Sequence, residues 1–190
     1  MIRLTSLETV FAQVHNAVKS DTLLAGGAIR DYLSSKSSYK DIDVFIQSET
    51  LNEFEEKCSK LEPIFGKGIT LGKEQIETPK EYHENPSIIK VKTFRCRFET
   101  ELQIIGVRNT SSDFPQSVFK SFDFAINCCG LNETGIIDTP QAKFDRVNQT
   151  FTLQNVWSPN QLIKLIDKYK RLTEQKYIGY QLAYIPEAFH

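Results

Sequence analysis

Apolar residues recur along this 190-residue chain in two rhythms, and polar or glycine-bearing stretches separate them. Leu7, Val10, Phe11, Val14 and Val18 fall at helical spacing, which predicts an amphipathic helix to about Lys19, opened by a capping box at Thr5-Ser6-Leu7-Glu8. A short apolar run over Thr22–Ala25 reads as a strand, Gly26-Gly27 as a turn, and Ala28–Leu33 as a short helix. The polar segment Ser34–Ser38 is expected to be a mobile loop over a substrate. A second strand follows, in which Ile42 and Val44 alternate with Asp41 and Asp43. Ser48 or Glu49 opens a helix whose stripe is Leu51, Phe54, Cys58 and Leu61, with Glu53, Glu55 and Glu56 on its solvated face. Glu62–Asn85 has no clear rhythm beyond a short strand at Ile69–Leu71, and His83 in it reads as a loop residue. Ser87–Phe98 and Leu102–Val107 read as paired strands turning at Glu99-Thr100, and a helix begins near Asp113-Phe114-Pro115 and runs to Lys120. Phe122, Phe124, Ile126 and Cys128 alternate with Asp123, Ala125, Asn127 and Cys129, which predicts a strand over Ser121–Cys129. A hairpin turn at Asn132–Gly135, a short helix over Pro140–Asp145 and a strand over Val147–Leu153 come next. Ser158-Pro159 opens a last helix to about Gln175, with Leu162, Ile166, Tyr169 and Leu172 as its buried stripe. The tail, with Tyr177, Tyr180, Tyr184 and Phe189, is expected to pack back on the body. This order of elements implies an α/β (α+β) fold with a mixed sheet.

The acidic strand carries the first candidate chemistry. Residues two apart on a strand share a face, so Asp41 and Asp43 stand together, opposite Ile42 and Val44. Two carboxylates held about 4 Å apart repel by a few kcal/mol at an effective dielectric near 20. A hard divalent cation removes that repulsion and gains oxygen ligands. Gly26-Gly27 before a helix start exposes backbone N–H groups where phosphates bind. Together these features read as a metal-dependent triphosphate site; a solvated acid pair at a strand start is the competing reading. Lys164, Lys168 and Arg171 lie on one face of the last helix, either as a solvated lysine face or as contacts to triphosphate or an RNA backbone.

These residues also carry a resemblance. Gly26-Gly27-x-x-Arg30-Asp31 followed by Asp41-x-Asp43 resembles the polymerase-β-type nucleotidyltransferase superfamily, and within it the head domain of tRNA CCA-adding enzymes and bacterial poly(A) polymerases. A second match, Phe122-Asp123-Phe124-Ala125-Ile126-Asn127 with Gly135-Ile136-Ile137-Asp138, is similar to that family's Arg-Arg-Asp-Phe-Thr-Ile-Asn and Leu-Ile-Asp segments. The resemblance implies a small mixed nucleotidyltransferase sheet packed by helices on one side, over residues 1–155. Residues 156–190 would then form a C-terminal helix and tail packed on it as one compact unit. It further implies two Mg²⁺ ions, or Mn²⁺, held by Asp41 and Asp43 with Asp123 as third ligand. Gly26, Gly27, Arg30, Asn127, Lys164 and Lys168 would contact the nucleotide, with Arg30 binding phosphate or holding Asp31. One departure stands out: Gln103 occupies the place of a family glutamate, which leaves Glu101, on the same face, as an alternative third carboxylate.

The composition narrows partners. A net charge of −1 and a pI near 6.3 argue against an indiscriminate nucleic-acid coat, while leaving room for a local basic groove. The four cysteines show no C-x-x-C pair and no histidine at zinc spacing, so they read as buried free thiols of a reducing, cytoplasmic setting. No apolar run approaches membrane-spanning length. The expected activity is transfer of NMP from an NTP to an acceptor hydroxyl, with RNA or a tRNA 3′ end as acceptor. A protein or small-molecule acceptor, favoured by the small surface left for gripping a tRNA, and a non-catalytic nucleotide- or RNA-binding module are the alternatives.

Overall fold

The structure, a computed structural model, describes residues 4–36, 39–68, 87–95, 100–108, 113–156 and 158–185. The elements run α1 (Leu4–Val18), β1 (Thr22–Ala25), α2 (Gly27–Leu33), β2 (Asp41–Gln47), α3 (Leu51–Ser59), α4 (Glu62–Phe65), β3 (Ile88–Arg95) and β4 (Glu101–Val107). After these come α5 (Phe114–Phe119), a 3₁₀ turn (Ala125–Asn127), β5 (Cys129–Asn132), β6 (Gly135–Asp138), α6 (Pro140–Asn148), β7 (Thr150–Leu153), α7 (Pro159–Gln175) and β8 (Gln181–Tyr184). β1 to β6 form one mixed sheet in the order β3-β4-β2-β1-β5-β6, with β2 and β4 parallel and the other neighbours antiparallel.

The two faces of the sheet follow from alternation. Ile42, Val44 and Ile46 of β2, Leu24 of β1 and Leu102 and Ile104 of β4 pack against α1, α2 and α3 through Leu7, Val14, Val18, Ile29, Phe54 and Cys58. On the opposite face Leu23, Phe45, Ile105 and Val91 line up across β1, β2, β4 and β3. They are covered by Phe114, Val118 and Phe119 of α5, which Asp113 caps by accepting from the Gln116 N–H. Helices therefore lie on both sides of the sheet, where the resemblance implied one. A third cluster, Phe124, Ile126, Phe151, Leu153, Leu165 and Tyr177, joins α7 and the parallel β7–β8 pair to the 3₁₀ turn. The expectation that Tyr177 and Tyr180 pack back holds, whereas Tyr184 is exposed.

Three expectations differ. The Ser121–Cys129 segment is not a strand: Phe124 makes one bridge to Leu153, a 3₁₀ turn follows, and β5 starts only at Cys129. Its apolar residues serve three cores, Phe122 and Cys128 the α5 face, Phe124 and Ile126 the third cluster and Cys129 the first. Its Phe122 carbonyl accepts from the Gln154 Nε2 and Asn155 Nδ2 amides, while Asp123, Phe124 and Ala125 carbonyls accept from the backbone N–H groups of Gln154, Asn127 and Cys128. The helix at Pro140 continues to Asn148, and Gln149 in the left-handed region (φ 54°) delays the strand to Thr150. α1 already includes Leu4, so the Thr5–Glu8 box lies inside the helix. Ile69–Leu71, Ser37-Ser38, His83, Cys96 and Phe189 fall outside the described residues.

Candidate active site

Reading across the α5-covered face in register places the acids. The apolar row Leu23–Phe45–Ile105–Val91 is followed by the row Ala25–Asp43–Gln103–Thr93, then by Asp41 beside Glu101. The face thus turns from apolar to polar within one alternation step, at the N-terminal end of β2. Asp41 and Asp43 are half-buried there and Glu101 is exposed.

The glycine turn sits against this polar row because β1 runs antiparallel to β2 and ends at Ala25, opposite Asp43. Gly26 has φ +84°, a region L side chains rarely adopt. A Cβ on Gly26 would lie 2.7 Å from Asp43 Oδ2, so the carboxylate folds over the turn into space that only glycine leaves. Gly27 differs: a Cβ there would find only Arg30 NH2, at an ordinary 3.6 Å. Hard carboxylate oxygens beside a glycine cradle form a donor set that suits Mg²⁺. Among the described residues no group of three or more His, Cys, Asp or Glu side chains is placed to hold a metal ion.

Behind the turn, Arg30 and Asp31 are both buried, at 6% and 1% exposure. Arg30 Nε and NH2 donate to Asp31 Oδ1 at 2.8 and 2.7 Å, and NH1 donates to Asn127 Oδ1 at 3.1 Å. Burial works against the guanidinium charge, but Tyr177 and Asp31 outweigh it and hold the Arg30 pKa above its ordinary value. Arg30 thus holds Asp31, one of the two roles expected for it, and draws Asn127 into the same network. Tyr177, expected only to pack on the body, and Lys176, which the sequence did not single out, complete it: the phenol donates to Asp31 Oδ1 at 2.7 Å and Lys176 Nζ to Oδ2 at 2.8 Å. Neither residue lies on the α7 stripe, so helical periodicity carried no trace of them. Burial pushes the Tyr177 phenol well above its ordinary pKa, keeping it a neutral donor.

Asp123 lies in a different setting. Gln161 Nε2 donates to its Oδ1 at 3.2 Å and Lys168 Nζ stands 3.7 Å from its Oδ2. Among the described residues, the carboxylates of Asp41, Asp43 and Asp123 are not placed as one metal-holding group. Lys164 is exposed on α7. Asp145, also not singled out from the sequence, is fully buried and accepts from Gln141 Nε2, Thr150 Oγ1 and both the N–H and Oγ1 of Thr152. The alternation of Thr150 and Thr152 against Phe151 and Leu153 was its one trace in the sequence, because buried threonines need an acceptor.

Comparison with known proteins bears on this geometry. A sequence model of the Gabija anti-defense 2 family protein matches residues 4–145. The chain belongs to the Gabija anti-defense 2 family. The matched span of this Gabija anti-defense 2 chain contains the glycine turn, the acid pair, Asp123 and Asn127, and stops before α7. Its fold is that of CCA-adding enzymes. The Bacillus stearothermophilus CCA-adding enzyme in complex with CTP superposes with a TM-score of 0.61 at 15% identity, over 99% of this chain and 42% of that one. The Thermotoga maritima CCA-adding enzyme complexed with tRNA gives 0.56 at 16%, over 90% and 36%, and a CCA-adding enzyme with ATP gives 0.59 at 15%, over 95% and 40%. The Gabija anti-defense 2 chain thus spans less than half the length of each of these enzymes. No curated protein matches its sequence. No described helix is long and apolar enough to cross a membrane.

Proposed function

We propose that this chain is a metal-dependent nucleotidyltransferase that moves NMP from an NTP to an acceptor hydroxyl and releases pyrophosphate. The observation that carries the reading is the Asp41/Asp43 pair at the polar end of one sheet face, with Asp43 folded over Gly26. Asp41 and Asp43 would hold Mg²⁺, or Mn²⁺. Bound metal supplies activation of the acceptor hydroxyl and charge neutralisation on the leaving pyrophosphate. In the reaction the acceptor oxygen bonds to the α-phosphorus, the α–β phosphoanhydride bond breaks with its electron pair leaving on pyrophosphate, and the hydroxyl proton passes to solvent. Gly26 and Gly27 let the backbone approach the phosphates, and Asn127 offers a donor to sugar or base. Asp123 serves as third carboxylate, which requires it to leave Lys168; Glu101, in register with Asp41, is the alternative. Lys168, once released, and Lys164 are the phosphate contacts on α7.

Two observations bear on the acceptor. Similar structures are of enzymes complexed with tRNA, which favours an RNA 3′ end. The family's name points to countering the Gabija defence, which favours a hydroxyl on a component of that system, acted on in the cytoplasm. Incubation with α-³²P-labelled NTP and Mg²⁺, with total RNA in one arm and Gabija proteins in the other, separates them. Label in RNA or in protein identifies the acceptor. No transfer in either arm, with Mg²⁺-independent nucleotide binding that Asp43→Asn leaves unchanged, would leave a binding module in place of the enzyme.

A further inference from the structure

We infer that Tyr177 is a positioning residue for the nucleotide: with Lys176 it clamps Asp31, and through Arg30 it fixes both the glycine turn and the Asn127 amide. This rests on the nucleotidyltransferase reading above. α2 has seven residues, no side-chain cap at Gly26, and too little length to hold a fixed pose by itself. Its pose comes instead from Arg30 and Asp31, and a buried ion pair is unfavourable unless its remaining donors and acceptors are satisfied. Tyr177 alone among the described partners touches both members, donating to Asp31 Oδ1 at 2.7 Å and accepting from Arg30 Nε at 3.0 Å. Arg30 passes the constraint in two directions. Its NH2 lies 3.6 Å from the Cβ position of Gly27, directly behind the turn. Its NH1 donates to Asn127 Oδ1; because guanidinium offers only donors, this fixes which end of the amide it meets and turns Nδ2 away as a donor.

Packing holds the Tyr177 ring independently of its hydroxyl. It stands edge-on to Phe151 and Tyr180 at centroid distances of 5.1 and 4.9 Å, and Lys36 Nζ lies 4.8 Å over its face. Arg30 and Lys176 bring two positive charges to the Asp31 carboxylate, and Lys36 brings a third to the face of the Tyr177 ring. Tyr177 lies outside the span matched by the family model, so the clamp is contributed by the tail.

The test uses the full chain carrying Tyr177→Phe, which keeps the ring and removes the hydroxyl, and Asn127→Asp, which keeps an acceptor for Arg30 and removes the donor. Hydrogen exchange without nucleotide reads the amides of Arg30 and Ser34, which bond to Gly26 and Arg30 carbonyls. In Tyr177→Phe these should exchange several-fold faster while the Ile104 and Ile105 amides of β4 do not change. The KM for MgNTP should rise about tenfold in either variant, the scale of one charge-assisted hydrogen bond, with kcat per folded molecule within about twofold. Unchanged exchange at α2 overturns the clamp. A lowered Tm with normal KM in the folded fraction makes Tyr177 structural only and overturns its positioning role. If Tyr177→Phe fails to fold, a wild-type KM in Asn127→Asp overturns it equally. Wild-type protein that neither binds nor transfers nucleotide refutes the proposed function and the positioning role with it, and the exchange experiment then decides the clamp alone.

Discussion

Asp31 and Asp43 flank the same glycine turn and are treated in opposite ways. Asp31 is 1% exposed and takes its donors from Arg30, Tyr177 and Lys176. Asp43 is half-buried at the polar end of the sheet face that α5 covers, its carboxylate laid over Gly26. The first acid is completed by the chain's own cations and serves the fold. The second is positioned by strand register beside a turn whose positive φ favours glycine. Asp145 sides with Asp31: it is buried and bonded to Gln141, Thr150 and Thr152. Environment thus sorts acids that composition lumps together.

The comparison breaks most visibly in activity. Asp41→Ala or Asp43→Ala should each lower nucleotide transfer about a thousandfold, roughly 4 kcal/mol of transition-state stabilisation, with an apo Tm no lower than wild type. A large fall in Tm with activity per folded molecule retained would move these acids into the structural class. Asp145→Ala should do the reverse. Losing its bonds to buried threonines should cost about 3 kcal/mol and lower Tm by roughly 6–12 °C, with transfer by the folded fraction unchanged. The two glycines sharpen the contrast on a smaller scale. Gly26→Ala meets both a positive φ and Asp43 Oδ2, so it should cost about 1–2 kcal/mol in stability and weaken nucleotide binding. Gly27→Ala meets neither, so Tm should stay within about 1–2 °C while MgNTP affinity, by calorimetry, still falls.

The smallest effect belongs to the thiols. Burial pushes Cys58, Cys128 and Cys129 up to about 12 from an ordinary 9. Between those values the folded chain holds protons that the unfolded chain releases, so the three thiols oppose folding increasingly as pH rises above 9. In a Cys96→Ser background, Ellman's reagent at pH 8 should react only at the rate of unfolding. Fast labelling of one thiol would show that its site opens.

The acid pair was legible in the sequence because strand alternation needs no tertiary information to put Asp41 and Asp43 on one face. The glycine turn, α2, β2 and α7 were legible for similar reasons: a turn dipeptide, a cap or an uninterrupted period. The failures share a cause. In Ser121–Cys129 the alternation was genuine, but Phe122 and Phe124 point into different cores, and Gln154 and Asn155 arrive from another segment to take the Phe122 carbonyl. The packing of Tyr177 was legible but its bond to Asp31 was not, because that depends on a buried ion pair far earlier in the chain. Asp123 was expected on a strand; it lies instead just before the 3₁₀ turn, where its partners Gln161 and Lys168 come from α7. Periodicity reports which face a residue takes, and only the fold reports what meets it there.

The separation of 146 positions between Asp31 and Tyr177 gives the clamp a place in time as well as in space. A chain made from its N-terminus produces the glycine turn and acid pair early and must wait for nearly the whole described domain before the phenol that locks the turn emerges. During that interval Arg30 and Asp31 have no clamp. A nascent or nicked chain lacking the segment after Gln175 would keep every residue of the acid pair and still lack the lock on α2. The site's readiness is therefore tied to completion of synthesis through the tail, which makes residues 176–180 the place where truncation or an inserted tag would do the most damage at the greatest distance along the chain.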